Sequence, residues 1–180
     1  MKRALLLGFV LAAALVPAVS HPAGASSAGT SVFVRFESDP TGGKPNGWMS
    51  VDSSLVSFSD SLGADLDLEN FGNQGHGQAL AVNGDDQGFL HMDFTVPVCQ
   101  LRLSFGNDDP GFSNPGDKAR LRVFNAGTEV GRKAVVMNRD DIMNQRILFG
   151  GQPFDSADFW FAVTTSGLIE IVDDIAFTAC

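Results

Sequence analysis

The stretch Gly88-Phe89-Leu90-His91-Met92-Asp93-Phe94-Thr95-Val96, followed after Pro97 and Val98 by Cys99-Gln100-Leu101-Arg102-Leu103-Ser104-Phe105, alternates apolar with polar residues. Successive side chains of a strand point to opposite faces of its sheet. Leu90, Met92, Phe94 and Val96 therefore share one face, as do Leu101, Leu103 and Phe105, and these are the expected core faces. The same short alternating runs recur outward in both directions. They predict further strands at Ser31–Glu37, Leu55–Phe58, Gln78–Val82, Arg120–Asn125, Glu129–Met137, Arg146–Phe149, Asp158–Thr165 and Leu168–Thr178. Clusters of Gly, Asn, Asp and Pro separate them at intervals of about ten residues, as in a sandwich or jelly roll. No segment carries an amphipathic helix of three turns, and Met137–Gln145 is expected to supply at most one helical turn. The fold class that follows is all-β, a two-sheet antiparallel β-sandwich of the jelly-roll type.

Ahead of the first strand, Met1-Lys2-Arg3 precedes an apolar run from Ala4 to Val16 that Pro17 ends. A charged start, a short apolar stretch and small residues after it describe a signal peptide, here residues 1–20 with cleavage after Ser20. The run is too short to span a bilayer. Residues 21–30, rich in Ala, Gly and Ser, read as a flexible leader, and 31–180 as the sandwich domain. No lipid anchor or membrane stop is indicated, so the expected localisation is secreted, extracellular or periplasmic. The formal net charge is -9, and losing Lys2 and Arg3 leaves -11. Such acidity speaks against nucleic-acid and membrane partners and suits cations. The domain is expected to be a monomer. Cys99 and Cys180 are its two cysteines, and an even count in an exported chain predicts a disulfide between them. Two free thiols, or a bridge to another chain, are the alternative.

In the last predicted strand Ile169, Ile171, Ile175 and Phe177 form the apolar set, and Asp173 completes it at the missing step. A carboxylate on a buried face is costly unless it is neutralised, paired or bound to a metal. Calcium is the natural partner outside the cell, since it takes six to eight oxygen ligands. Glu37 and Asp39 follow the first strand, which in an antiparallel sandwich commonly neighbours the last, so their carboxylates could meet Asp173. A bulge that turns Asp173 outward, or a hydrogen-bonded pair with Arg35, would serve as well.

Phe36-Glu37 with Gly47-Trp48, and the closing Ile171-Val172-Asp173-Asp174-Ile175-Ala176-Phe177, resemble the two ends of exported galactose-binding-like jelly rolls, among them many carbohydrate-binding modules. The resemblance covers about a dozen residues. It implies a structural Ca2+ held by Glu37 and Asp173, with Asp174 as a further candidate, and glycan or another extracellular component as ligand.

Between these ends the candidates for ligand binding are few. The chain has no tyrosine and two tryptophans. Trp48 reads as a cover for the core. Trp160 points away from Phe159, Phe161 and Val163 and is the candidate platform for a sugar ring, the alternative being packing under a loop. The loop from Phe105 to Asp117 clusters Asn107, Asp108, Asp109, Asn114 and Asp117, which could contact sugar or a second cation, although these are also the residues turns are made of. Arg102 and Arg122 lie at polar strand positions and could support a groove. For catalysis the sequence offers no G-x-S-x-G elbow, H-E-x-x-H, P-loop or dinucleotide fingerprint, and His21, His76 and His91 do not make a zinc site. The expected function is non-enzymatic binding of glycan or an extracellular surface component. An adhesive or envelope module that binds an extracellular protein is the competing class, and a small glycoside hydrolase or lyase a third.

Overall fold

The computed structural model describes residues 29–83, 88–163 and 168–180. The expected signal peptide and nearly all of the leader lie outside these residues, as do positions 164–165 of the expected strand Asp158–Thr165. Among the described residues ten strands run in the order β1 (Ser31–Val34), β2 (Gly42–Lys44), β3 (Val56–Asp60), β4 (Leu66–Asn70), β5 (Gln78–Val82), β6 (Leu90–Gly106), β7 (Lys118–Asn125), β8 (Thr128–Val136), β9 (Gln145–Ala162) and β10 (Glu170–Ala179). Every pairing is antiparallel. The hydrogen-bonded order is β2-β4-β5-β10-β6-β9-β7-β8, with β1 on β10 and β3 on β6.

Two long strands turn this one ladder into two layers. The second half of β6 pairs with β10 and with the first half of β9, whereas its first half pairs with β3 and with the second half of β9. The register breaks between Asp93 and Val98 and again between Val98 and Gln100, opposite the Gly150-to-Phe154 stretch of β9. Strands that switch layers do so through such bulges and bends. One layer thus holds β2, β4, β5, β10 and β1, the other β3, β7 and β8. Phenylalanines close the space between them: Phe105 meets Phe159 at 5.8 Å and Phe161 at 5.9 Å, and Phe94 meets Phe177 at 5.0 Å. Each fully buried Phe contributes about 1.5–3 kcal/mol of transfer free energy. The fold class read from the sequence is therefore observed, an antiparallel jelly-roll sandwich.

Several elements differ from the sequence reading. The runs Gly88–Val96 and Cys99–Phe105 are one strand, as are Arg146–Phe149 and Asp158–Thr165 as far as residue 162. Pro97 and Pro153, which suggest breaks, sit where the strands bend between layers, and there a missing N–H is tolerated. The bend also moves Val96 out of the core to a half-buried position and puts Val98 in its place. Strands β2 and β4 were not expected: β2 is a three-residue edge, and β4 buries Leu66 and Leu68 between acidic residues. Met137–Gln145 forms bends and no helix. Arg139 and Asp141 have φ of 62° and 60°, and the Asp140 carboxylate takes the N–H of Ile142, so local side-chain bonds replace helical ones.

Cys99 and Cys180 are joined, 5.2 Å apart at Cα, and Cys180 N donates to Pro97 O at 2.9 Å. The bridge spans a sequence separation of 81 and fastens the end of β10 to the bend of β6.

Candidate functional site

On β7, Ala119, Leu121 and Val123 are buried in the core, so Lys118, Arg120, Arg122 and Phe124 stand on the outer face. The register sets Trp160 of β9 opposite Arg120 and Asp158 opposite Arg122, with Arg132 and Ala134 of β8 on the other side. Trp160, Arg120, Arg122, Arg132 and Ala134 line a groove of about 340 Å³, whose wall also includes Lys118, Leu121, Glu129 and Lys133, with Asp158 beneath Arg122. Trp160 is half-buried there.

Arg122 fixes the tryptophan. Its guanidinium lies 4.7 Å from the centre of the Trp160 ring and 5.6 Å from those of Phe89 and Phe124. Its Nη2 donates to Asp158 Oδ2 at 2.8 Å. Asp158 is buried, and its other oxygen meets His91 Nδ1 at 2.7 Å. His91 Nε2 faces Asp93 Oδ1 at 3.2 Å, so both ring nitrogens meet carboxylates, which the imidazolium satisfies with two N–H donors. The hydrogen bond to Asp158, more than any other influence, raises the His91 pKa above its ordinary value, against the opposing effect of burial. The plane of the indole is thus held by a cation that is itself fixed by a charged hydrogen-bond relay. Glu129 is likewise engaged, accepting from Arg132 Nε at 2.7 Å. Glu129 on the wall and Asp158 beneath it are thus each held by an arginine.

The acidic candidates lie elsewhere. β1 and β10 are neighbours as expected, from Ser31 opposite Thr178 to Val34 opposite Ile175. A bulge interrupts β10 between Asp173 and Ala176, with Asp174 at φ 48°. Val172 belongs to the main core, while Ile171 joins a small second cluster with Ala79, Ala81 and Met143. Asp173 thus shares the side of Ile171, away from the main core, and the inward position inferred from strict alternation is corrected by the bulge. It is nonetheless 1% exposed, because the Gly72–Gly77 turn covers it. Two glycines permit that cover. A Cβ on Gly106 would strike the backbone of Gln74, and one on Gly77, at φ +108°, would strike the Glu37 carboxylate.

Asp173 accepts from His76 N at 3.2 Å and from Asp174 N at 2.6 Å. Among the described residues no cation pairs with it. Burial is the main cause that pushes its pKa up to about 7. Glu37 Oε1 accepts from Gln78 N at 3.2 Å, so Glu37 and Asp173 both bind the 76–78 segment. Gln78 Oε1, and Ser104 Oγ of the residue opposite Asp173, are buried without a hydrogen-bond partner among the described residues. Two carboxylates and two orphaned oxygens have the donor chemistry calcium prefers. Among the described residues, however, no group of three or more His, Cys, Asp or Glu is arranged to hold a metal. Asp174 turns to His76 Nδ1 at 2.8 Å and Arg35 Nε at 4.0 Å, so Arg35 pairs with Asp174 and not with Asp173. Asp39 is taken by Ser50 Oγ at 2.5 Å and Val51 N at 2.9 Å.

The 107–117 loop is bound to its neighbours. Asn107 donates to Ile169 O at 2.7 Å, and buried Asp108 takes the N–H groups of Arg139 and Asp141 at 2.6 and 2.9 Å. Asp109 closes its own turn on Gly111 N. None of the three lines the groove with Trp160. Trp48 packs on Phe36 and Phe58, as a core cover does. Arg102 lies on the outer face of the first layer with Phe33 and Leu148. Lys118, Arg120, Arg132, Lys133 and Asp158 were not singled out from the sequence. Their signal was the alternation of Lys118, Arg120 and Arg122 with apolar residues, which has no meaning for function until the register places Trp160 beside it.

No protein-family model and no curated protein matches the sequence. Solved structures with a similar course of the chain include the K2 cleaved adhesin domain of Lys-gingipain, at 19% identity and TM-score 0.48 over 83% of this chain and 99% of that one. A family 29 carbohydrate-binding module complexed with mannohexaose is 16% identical, with TM-score 0.46 over 83% and 92%. The CBM22-1 xylan-binding domain from Paenibacillus barcinonensis Xyn10C is 13% identical, with TM-score 0.46 over 86% of this chain and 97% of that one.

Proposed function

We propose that this protein is an exported, non-catalytic, monomeric glycan-binding module. The carrying observation is Trp160, half-buried on a sheet face, held by Arg122 and bordered by polar and charged side chains in a groove. Ring stacking on an indole, with hydrogen bonds to hydroxyls from neighbouring polar groups, is how a small domain retains a sugar chain. Export is supported by the charged and apolar first 20 residues and by the Cys99–Cys180 disulfide. The competing protein-binding reading asks for a broad apolar patch. Phe33 and Leu148 are exposed on the first layer, at 51% and 57%, yet they share that face with Arg102, Gln100 and Thr178.

Calcium belongs to the proposal as a structural ion held by Glu37 and Asp173, where it would supply the positive charge that buried Asp173 lacks. Retention on a panel of immobilised glycans tests the function. Wild-type protein is expected to be retained by at least one, and Trp160→Ala to lose retention while keeping its melting temperature. A folded Trp160→Ala variant that binds as wild type would refute the site.

A further inference from the structure

The groove around Trp160 is basic in a protein that is not. The whole chain carries -9, with 12 Lys and Arg, of which Lys2 and Arg3 stand in the expected signal peptide. Of the ten others, five line this groove: Lys118, Arg120, Arg122, Arg132 and Lys133. Glu129 on its wall and Asp158 beneath it offset two, so the groove keeps +3 and everything else sums to -12. Arg122 and Arg132 are committed to those two carboxylates. Lys118, Arg120 and Lys133 are exposed and have no ion pair among the described residues; Lys118 and Arg120 share the Trp160 face, while Lys133 stands opposite core-facing Leu121 at the edge strand.

Like charges gathered on one face repel, and a ligand anion converts that repulsion into attraction. The arrangement has a spacing as well as a sign. Lys118 and Arg120 are two residues apart on one strand, about 6.6–6.8 Å, and Arg120 lies directly opposite Trp160. A pyranose stacked on Trp160 therefore has its substituents beside Arg120, and the next sugar along the strand reaches Lys118. A polysaccharide that bears an acidic group on successive sugars fits this row. Bulkier polyanions fit poorly: a duplex or an anionic bilayer would have to lie against a surface that is otherwise strongly acidic.

Building on the glycan-binding reading, we infer that the ligand is an anionic glycan, whose carboxylate or sulfate groups are bound by Lys118 and Arg120 while Trp160 stacks a sugar ring. Calorimetric titration of the purified protein with acidic oligosaccharides (oligogalacturonate for carboxylate, a chondroitin sulfate oligomer for sulfate) and neutral ones (xylohexaose, mannohexaose) tests this. At least one acidic oligomer should bind tenfold or more tightly than either neutral one, and weaken as NaCl rises from 50 to 500 mM. The combined Lys118→Gln, Arg120→Gln variant should lose that preference without a change in melting temperature, and Arg120→Gln alone should lose part of it. The oligomer that binds identifies the acid. Equal or tighter binding of the neutral oligomers, unaffected by the charge variants, would overturn the anionic assignment and leave the glycan reading standing. Binding of no oligosaccharide of either kind would remove both. Binding of a DNA duplex or phosphatidylglycerol vesicles as tight as that of the acidic oligomer would overturn it in favour of unspecific polyanion attraction.

Discussion

The bulge of β10 and the groove of β7–β9 each hold charged side chains against a sheet, but one charge is under a lid and the others face water. Asp173 is shut in by the Gly72–Gly77 turn with only two backbone N–H groups for company. Its charge is expensive, and the whole cost falls on stability. Lys118, Arg120 and Lys133 stand in solvent, where charge costs the fold little and salt screens it. A change at the bulge should therefore be read in melting curves, and a change in the groove in binding curves. The difference separates a structural device from the proposed recognition surface.

The largest expected effect tests whether the bulge depends on how β10 is fastened. Cys180→Ser, with Cys99→Ser to avoid a free thiol, should destabilise the protein by on the order of 4–5 kcal/mol, the loop-closure value for a chain segment of this length. Hydrogen exchange should rise in β10 and the 72–77 turn while β7 and the outer half of β9 keep their protection. Equal loosening of both regions would erase the distinction.

Next in size is the pH dependence of the bulge. A carboxyl raised from 3.8 to about 7 binds a proton in the folded state that the unfolded chain has already released. Its contribution is therefore a penalty, absent below about pH 4, growing as pH rises and complete above about pH 7, on the order of 4 kcal/mol. Asp173→Asn should abolish this slope and be more stable than wild type at pH 8 in chelator. Millimolar calcium should raise the melting temperature of wild type and leave the variant unchanged. A wild-type melting curve indifferent to calcium would dismiss the ion.

In the groove, Trp160→Ala should weaken glycan binding by on the order of 2 kcal/mol, about thirtyfold in Kd, with stability nearly intact. The smallest effect belongs to His91. Its pKa is raised in the folded state, so its stabilisation is complete below about pH 6.5 and disappears as pH rises through the folded value. His91→Gln should remove that dependence at a cost below about 1 kcal/mol, and a pH titration of melting temperature would detect it. If the variant altered stability at pH 8 as much as at pH 5, the relay to Asp158 would be packing alone.

The fold was legible because the alternation of residues 90–105 is a local property that the sandwich preserves. What local reading misses is where alternation slips. Val96 leaves the core and Asp173 changes side because bulges insert residues into β6 and β10, and Pro97 and Pro153 look like ends of strands although the strands run through them. The site was legible in part for a related reason. Trp160 was recognisable as an outward-pointing aromatic, and Asp173 as an acid among apolar neighbours. Lys118 and Arg120 lie 42 and 40 positions away from Trp160 in the chain, and only strand pairing brings them to it. Asn107, Asp108 and Asp109 show the converse, since a polar loop that looks available in sequence is largely consumed in tying itself to its neighbours.

The central claim is that glycan binds at Trp160. The chain has two tryptophans, Trp48 packed on Phe36 and Phe58 and Trp160 in the groove. An NMR titration that follows the two indole N–H signals, assigned with Trp160→Ala, tests the claim most directly. An acidic oligosaccharide should shift the Trp160 signal progressively to saturation and leave Trp48 in place. A Trp160 signal unmoved while the oligosaccharide binds, or a shift confined to Trp48, would contradict it.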